Sequence, residues 1–285
     1  MAPTTNPSLA GRRVLITGAA RGIGAALAKR LHERGARVAV AGLEPELLEE
    51  VARSSGAGPW HVCDVTDRDE VEAAVAGTVD AFGGLDVVVA NAGVAAQLPL
   101  VGGNPAVMER TIAVNVMGVY NTLRAAGPHI SHPGGYALPV ASLAAAIHIP
   151  MLGAYSASKA AVEALGNTLR AELRSSGAKV GVAYFAELDT DMTSRGFGTE
   201  AAAKVAAASF TRVAPLKVGI DALERGIARR SRRVVAPRWV GPLLPVRMAV
   251  QPLLDRVTQR KLAEALEIAR HEDAPLTTEQ PEPAR

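Results

Sequence analysis

The chain has 285 residues, 48% of them hydrophobic and 21% charged, which suits one large α/β domain or two small ones with ample material for a buried core. A net charge of +3 and an aromatic content of 4% argue against nucleic-acid binding, and the single Cys63 excludes an internal disulfide. No run of 18 apolar residues is present to span a membrane, and Met1–Pro7 is Pro/Thr/Asn-rich without an apolar h-region, so a reducing, cytoplasmic setting is expected.

Taken in order, Arg12–Ile16 reads as a short strand, followed by the glycine-rich turn Thr17-Gly18-Ala19-Ala20-Arg21-Gly22-Ile23-Gly24. A helix over Ala25–Arg34 ends at Gly35, and Ala36–Ala41 is the next strand. Glycines allow a tight turn and close backbone approach, and a helix N-terminus offers free N–H groups to a pyrophosphate. Such a turn alone is weak evidence; between a strand and a helix it has the context it requires. Trp60–Cys63 then forms a strand ending at Asp64, and Asp67–Phe82 a helix capped by Asp67. Leu85–Ala90 is an apolar strand ending at Asn91-Ala92-Gly93. A long helix covers Ala106–Ala126, a strand Gly135–Ala141, a helix Ala154–Ser176 and a strand Val180–Ala186. Val218–Arg230 is helical, and Arg233–Ala236 is the last strand. Apolar strands alternating with helices predict a doubly wound parallel sheet of Rossmann type in a single domain.

Candidate functional positions gather at the C-terminal ends of these strands, where open parallel sheets bind ligands: Thr17, Gly18, Asp64, Asn91, Ser142 and Thr190. Each has a structural reading of its own, as a cap, a tight turn or a small packed residue. Tyr155 and Lys159 lie four apart on an amphipathic pattern in which Val162, Leu165, Leu169 and Leu173 share one stripe and Glu163, Arg170 and Arg174 another. A phenol titrates near ~10, and a neighbouring ammonium favours the phenolate, bringing it towards the range useful for general acid–base chemistry. The spacing alone is also that of ordinary surface residues.

The combination resembles the short-chain dehydrogenase/reductase family in its compact form. The resemblance is carried by Thr17–Gly24, Asp64-Val65, Asn91-Ala92-Gly93, Asn115, Ser142, Tyr155 with Lys159, and Asp189-Thr190, in the family's order and with a 13-residue step from Ser142 to Tyr155. It implies that Tyr155 exchanges a proton with the substrate oxygen. Lys159 would lower the tyrosine pKa and hold the nicotinamide ribose, Ser142 would donate a hydrogen bond to the reacting oxygen, and Asn115 would position a water linking Lys159 to solvent. Gly18, Gly22 and Gly24, with Ile23, would line the pyrophosphate turn. Asp64 and Val65 would meet the adenine, Asn91, Ala92 and Gly93 the cofactor edge, and Thr190 the carboxamide. The resemblance implies NAD or NADP as cofactor, a secondary alcohol or ketone on an apolar small molecule as substrate, and a homodimer or homotetramer. A non-catalytic dinucleotide sensor is the alternative, although its members should lose the relay residues that are present here. A serine-hydrolase reading of Ser142 fails for want of an elbow glycine pair, and His148 has no second His or Cys nearby to suggest a metal.

Two departures stand out. Phe185-Ala186 replaces the family's Pro-Gly, bringing Glu187 near the active site, either solvated in a loop or lining the pocket. At the end of the second strand, Gly42-Leu43-Glu44 carries neither the Asp of NAD-preferring relatives at position 42 nor the Arg of NADP-preferring ones at 43. Arg21 is the remaining group from which the resemblance suggests reach to a 2′-phosphate, so a slight lean to NADP is expected. Residues 1–10 read as a flexible N-terminus, 11–240 as the catalytic domain, 241–270 as a basic amphipathic arm and 271–285 as a disordered tail. From Arg229 to Lys261 nine basic residues face one acid, Asp255, among Trp239 and several leucines. Such a stretch can lie on a membrane, cover a cleft or pack on a subunit. The prolines at 242, 245 and 252 are expected to break any long helix there, which argues against the membrane.

Overall fold

The computed structural model describes residues 8–56, 58–190, 192, 200–201, 213–259, 262–272 and 276. Expectations placed on residues 1–7, on 193–197 of the loop flanking the reaction centre, and on most of 271–285 lie outside these.

Every strand pairing is parallel. Strand β1 (Arg13–Thr17) lies between β2 (Arg37–Gly42) and β4 (Val87–Ala90), with β3 (Trp60–Val62) outside β2. Next to β4 come β5 (Tyr136–Pro139) and β6 (Lys179–Val180), giving the order β3-β2-β1-β4-β5-β6. Strand β7 (Val182–Phe185) pairs with β8 (Arg233–Ala236), and a bridge from Val140 to Ala183 carries this pair onto the extension of β5. The helices are α1 (Gly22–Glu33), α2 (Pro45–Ser54), α3 (Arg68–Phe82), α4 (Pro105–Ile112), α5 (Gly118–Ile130), α6 (Gly153–Glu172), α7 (Leu216–Arg229), α8 (Val240–Thr258) and α9 (Leu262–His271). The expected doubly wound sheet is the observed one.

Alternation along the strands divides the core in two. Val14 and Ile16 of β1, Val87 and Val89 of β4, and Tyr136 and Leu138 of β5 join Leu27, Leu31, Leu223 and Ile227 of α1 and α7. Leu15, Val88 and Ala137 point the other way, to Val71, Val75, Val119, Leu123 and Val162 of α3, α5 and α6. Strands covered on both faces must be apolar throughout, as these are. The caps follow the sequence: Asp67 accepts hydrogen bonds from Asp69 N and Glu70 N, and Gly83 closes α3 in the left-handed region.

Three features depart from the sequence reading. Helix α2 is an addition: Pro45 starts it, and only Leu48, Val51 and Ala52 are buried, a short signal inside a polar stretch. The expected strand Val180–Ala186 is interrupted at Gly181, where Tyr136 passes over the backbone and its hydroxyl donates to Ser231 O at 2.8 Å. The prolines do not break the arm, since α8 runs unbroken through Pro245 and Pro252. Each removes one intrahelical bond, but Pro242 sits in the first turn, where no acceptor exists, and Met248, four before Pro252, is 84% exposed, so water can reach that turn. Burial of Val240 and Leu244 anchors the helix to the domain.

At Gly181 a Cβ would lie 2.2 Å from Tyr136 Oη and 2.3 Å from Ser231 O. Gly181→Val should therefore lower the unfolding free energy by about 2 kcal/mol through overpacking, measured by urea unfolding of both proteins.

Candidate functional site

A cleft of about 840 Å³ runs along the C-terminal ends of the strands and brings together most of the residues singled out from the sequence. Gly18, Arg21, Gly22, Ile23, Gly42, Leu43, Asp64, Val65, Asn91, Ala92 and Gly93 form one half. Ser142, Tyr155, Lys159 and Thr190 form the other.

The first half depends on a close approach of β1 and β4. A Cβ on Gly18 would lie 2.5 Å from Ala92 Cα, so the residue must be glycine, and its φ of +63° agrees. Asn91 Nδ2 donates to Thr17 O at 3.0 Å and Gly18 O at 2.9 Å, while Asn91 N donates to Thr17 Oγ1 at 3.2 Å. Thr17 and Asn91 thus fasten the glycine turn to the neighbouring strand, and Thr17 itself is buried. At Gly22 a Cβ would meet nothing within 4 Å, so the start of α1 is open. Arg21 Nη2 pairs with Glu44 Oε1 at 2.6 Å, and Arg21 Nε is buried without a hydrogen-bond partner among the described residues. An open helix N-terminus beside an orphaned guanidinium N–H suits a phosphate-bearing ligand, so these residues fit a dinucleotide.

Asp64 is held by Thr66, whose N and Oγ1 donate to its Oδ1, and by Arg110, whose Nη2 lies 3.0 Å from Oδ2. Desolvation would raise its pKa, but these bonds outweigh it and keep the carboxyl below its usual value. Asn121 Nδ2 donates to Val65 O at 2.9 Å, and a Cβ on Gly118 would strike Val65 Cγ2 at 2.4 Å, so α5 sets the height of this loop. Arg110 and Asn121 escaped the sequence reading, having nothing but a helical position to mark them.

The second half is built around Asn115. Five residues, Ala113–Met117, form a π turn between α4 and α5, a feature common at functional sites. Asn115 Oδ1 accepts from Val94 N at 2.8 Å, and its Nδ2 donates to Val94 O and Ser158 Oγ, each at 2.9 Å. Ser158, a neighbour of Lys159 that the sequence reading passed over, donates in turn to Tyr155 O at 2.7 Å. Asn115 Oδ1 and Lys159 Nζ both flank Gly93, where a Cβ would sit 3.2 and 3.3 Å from them.

Lys159 is buried, and its Nζ donates to Val140 O at 2.9 Å. It lies 5.6 Å from the centroid of the Tyr155 ring, one helical turn away. Burial lowers its pKa to about 8. In the chain alone the phenol does not shift as expected: burial raises the Tyr155 pKa, and only the Ser142 hydroxyl opposes this. The ammonium is spent on a carbonyl and is itself desolvated, so its pull on the phenol is weak. Ser142 Oγ donates to Phe185 O at 3.3 Å and accepts from Ala144 N at 3.1 Å.

At Phe185-Ala186, the departure from the family's Pro-Gly, Phe185 is buried in the core and Ala186 N donates to Ala236 O at 3.0 Å, so the β7–β8 ladder extends one residue further. Glu187 lines the cleft, and desolvation raises its pKa above the ordinary carboxylate value. Thr190 Oγ1 lies 3.4 Å from Leu188 O. Helix α8 closes the outer wall with Leu243, Val250 and Leu254. Gln251 ties it to the opposite loop: its Oε1 accepts from His148 N at 2.8 Å, and its Nε2 donates to His148 O at 2.9 Å.

A parallel sheet with a glycine turn at β1 and a Ser-Tyr-Lys-Asn cluster beside it defines a dinucleotide-dependent oxidoreductase. A profile of the family described as "short chain dehydrogenase" matches residues 12–201, and the chain belongs to that family. It is an NAD(P)-dependent oxidoreductase acting on CH–OH groups. It is 34% identical over 195 residues to 2-(R)-hydroxypropyl-CoM dehydrogenase of Xanthobacter autotrophicus, covering 64% of this chain and 76% of the relative. It is 36% identical over 177 residues to D-threitol dehydrogenase of Mycolicibacterium smegmatis, covering 60% and 68%. A short-chain type dehydrogenase/reductase from Mycobacterium marinum superposes with a TM-score of 0.72 at 28% identity, over 80% of this chain and 94% of that one.

The buried ammonium gives a signed pH dependence. Lys159 titrates at about 8 when folded and near ~10.4 when unfolded. Between these values the unfolded chain binds more protons, so stability rises with pH. Relative to Lys159→Met, the wild type should gain roughly 2 kcal/mol between pH 7.5 and 10, measured by denaturant unfolding at both pH values.

Proposed function

We propose that the protein interconverts a secondary alcohol and a ketone on an apolar small molecule. The carrying observation is the cleft itself: Ser142, Tyr155 and Lys159 converge beneath a wall of Ile147, Ile149, Leu152, Leu243, Val250 and Leu254. In this reading Tyr155 exchanges the proton at the substrate oxygen, and Ser142 donates a hydrogen bond to that oxygen once released from Phe185 O. Lys159 holds the ribose with the N–H bonds that Val140 leaves free, and Asn115 fixes the backbone of Val94 and the helix turn bearing Tyr155. When bound, the nicotinamide gives or takes the hydride. The exposed Met117, last residue of the π turn, and Tyr120 of α5 support a homodimer or homotetramer. Buried Cys63, its thiol pushed up to about 12 by desolvation, is compatible with a reducing cytoplasm.

Cofactor choice rests on few groups. Gly42 has no carboxylate to repel a 2′-phosphate, Leu43 offers only packing, and Arg21 is within reach but neutralised by Glu44. We assign a slight lean to NADP(H), within ~30-fold in kcat/KM, or ~2 kcal/mol. The site of Gly42 can take a side chain, since a Cβ there would meet nothing closer than 3.5 Å.

Two measurements test this. Tyr155→Phe should lower ketone turnover by at least ~100-fold while dinucleotide binding, followed by fluorescence, stays near wild type; near-native turnover would mean the acid lies elsewhere. Gly42→Asp should shift kcat/KM towards NAD(H) and Glu44→Gln towards NADP(H). A wild type favouring NAD(H) a thousandfold would show that another group reads the ribose.

A further inference from the structure

Helix α8 has two apolar faces. Its inner face is accounted for: Val240 and Leu244 are buried, and Leu243, Val250 and Leu254 wall the cleft. On the opposite face Pro242, Pro245, Val246, Ala249, Pro252 and Leu253 recur at helical spacing, and all six are exposed. Leu253 is 61% exposed.

The surroundings of this stripe are positive. Exposed Arg238 precedes the helix and exposed Arg256 lies in its last turns. On the flank, Arg247 Nη1 pairs with Glu163 Oε2 at 2.9 Å. Glu163 in turn borders a second depression, of about 690 Å³, walled by Arg170, Arg174, Lys179, Arg232 and Arg233. Among the described residues, Arg174, Lys179, Arg232 and Arg233 make no ion pair, and the one acid of that wall is already taken by Arg247. Arg170 is fixed in the wall, its Nε donating to Val180 O at 2.7 Å.

We propose that this face docks on a membrane surface bearing anionic lipids, with the α8 stripe entering the interfacial layer and the arginines meeting headgroup phosphates. The occupant must be apolar where the stripe lies and negative beside it. A second copy of this chain would bring like charge against like charge, whereas an anionic lipid surface supplies both features. A single convex helix also suits a planar interface better than a groove. No helix among the described residues is long and apolar enough to cross a membrane, so the contact is peripheral. Because the inner face of the same helix walls the cleft, docking sets the cleft mouth beside the bilayer. That last consequence, delivery of an apolar alcohol or ketone from lipid, rests on the proposed function; the docking does not.

The test is co-sedimentation of the full chain with vesicles of phosphatidylcholine alone and of phosphatidylcholine with phosphatidylglycerol, at physiological and at high salt. Binding is expected only to the anionic vesicles, weakened by salt. It should fall at least ~10-fold in Val246→Asp/Leu253→Asp and in Arg174→Gln/Arg232→Gln/Arg233→Gln. Neither set lines the cleft, so thermal unfolding and turnover of a water-soluble ketone should stay at wild-type level in both. Should the aspartates unfold the chain, Val246→Ser/Leu253→Gln reads the same surface. Absence of binding to anionic vesicles, or equal binding by the variants, would overturn the proposal. So would a stable dimer that Val246→Asp/Leu253→Asp splits in sedimentation velocity, because the stripe would then belong to a subunit contact.

Discussion

Burying an ammonium is among the least favourable things a fold can do, and one half of the cleft is arranged around one. Lys159 is 4% exposed and is given Val140 O at the end of β5. Val140 lies one residue past β5, and its own N–H is used by Ala90 O. Across the cavity the Asn115 side chain spans from Val94 to Ser158, holding the β4 loop against α6. The π turn brings Asn115 to that position, since one extra residue in the turn rotates the side chain inward from a helix otherwise packed on the sheet. The lysine leaves bonding capacity unfilled, and a buried cation with free N–H groups in an open cleft is a binding site for a ligand oxygen.

The dinucleotide half follows a different principle: it is assembled from close backbone approach. Gly18 lies against Ala92, Gly24 lies against Gly18 and Ala19, and the Asn91 amide fixes the register of the two loops. Its charged residues are paired within the chain, Arg21 Nη2 with Glu44 and Asp64 with Arg110 and Thr66, while Arg21 Nε stays open to a ligand. Selectivity between dinucleotides must therefore come from competition with an existing ion pair rather than from an unopposed charge. That is a weaker lever, because exchanging one partly exposed pair for another returns little net free energy.

Much of this was legible in the sequence because the relevant signals are local. A buried parallel strand must be apolar throughout, a tight strand-to-helix turn needs glycine, and Tyr155 and Lys159 lie one turn apart on any helix. The doubly wound sheet and the shared edge of its strands followed from those; the order of the strands in the sheet came only with the structure. What escaped was set by tertiary contact. Ser158, Arg110 and Asn121 work only because particular strands and loops pass beside them, and their types are ordinary on helices. Proline in α8 misled for a related reason. Local propensity counts the lost hydrogen bond, whereas the helix is held by Val240 and Leu244 in the core and by Gln251 clasping the backbone of His148.

Charge is segregated along the same logic. At the dinucleotide edge cations and carboxylates are paired, so the cleft tolerates a charged ligand without a strong field of its own. At the far end of α6, Arg170, Arg174, Lys179, Arg230, Arg232 and Arg233 line one depression, whose acid, Glu163, is paired with Arg247. Burial lowers the Arg170 pKa there, and the positive charge of Arg232 lowers it further. Holding like charges together strains the folded state, and a fold that only needed solubility would disperse them over the surface. Helix α8 links the two ends: Gln251 binds it to the cleft loop, and Arg247 binds it to the acid bordering the basic depression. One element thus has its inner face committed to the cleft and its flank to the acid of the basic depression, so a ligand that neutralises the second also constrains the wall of the first.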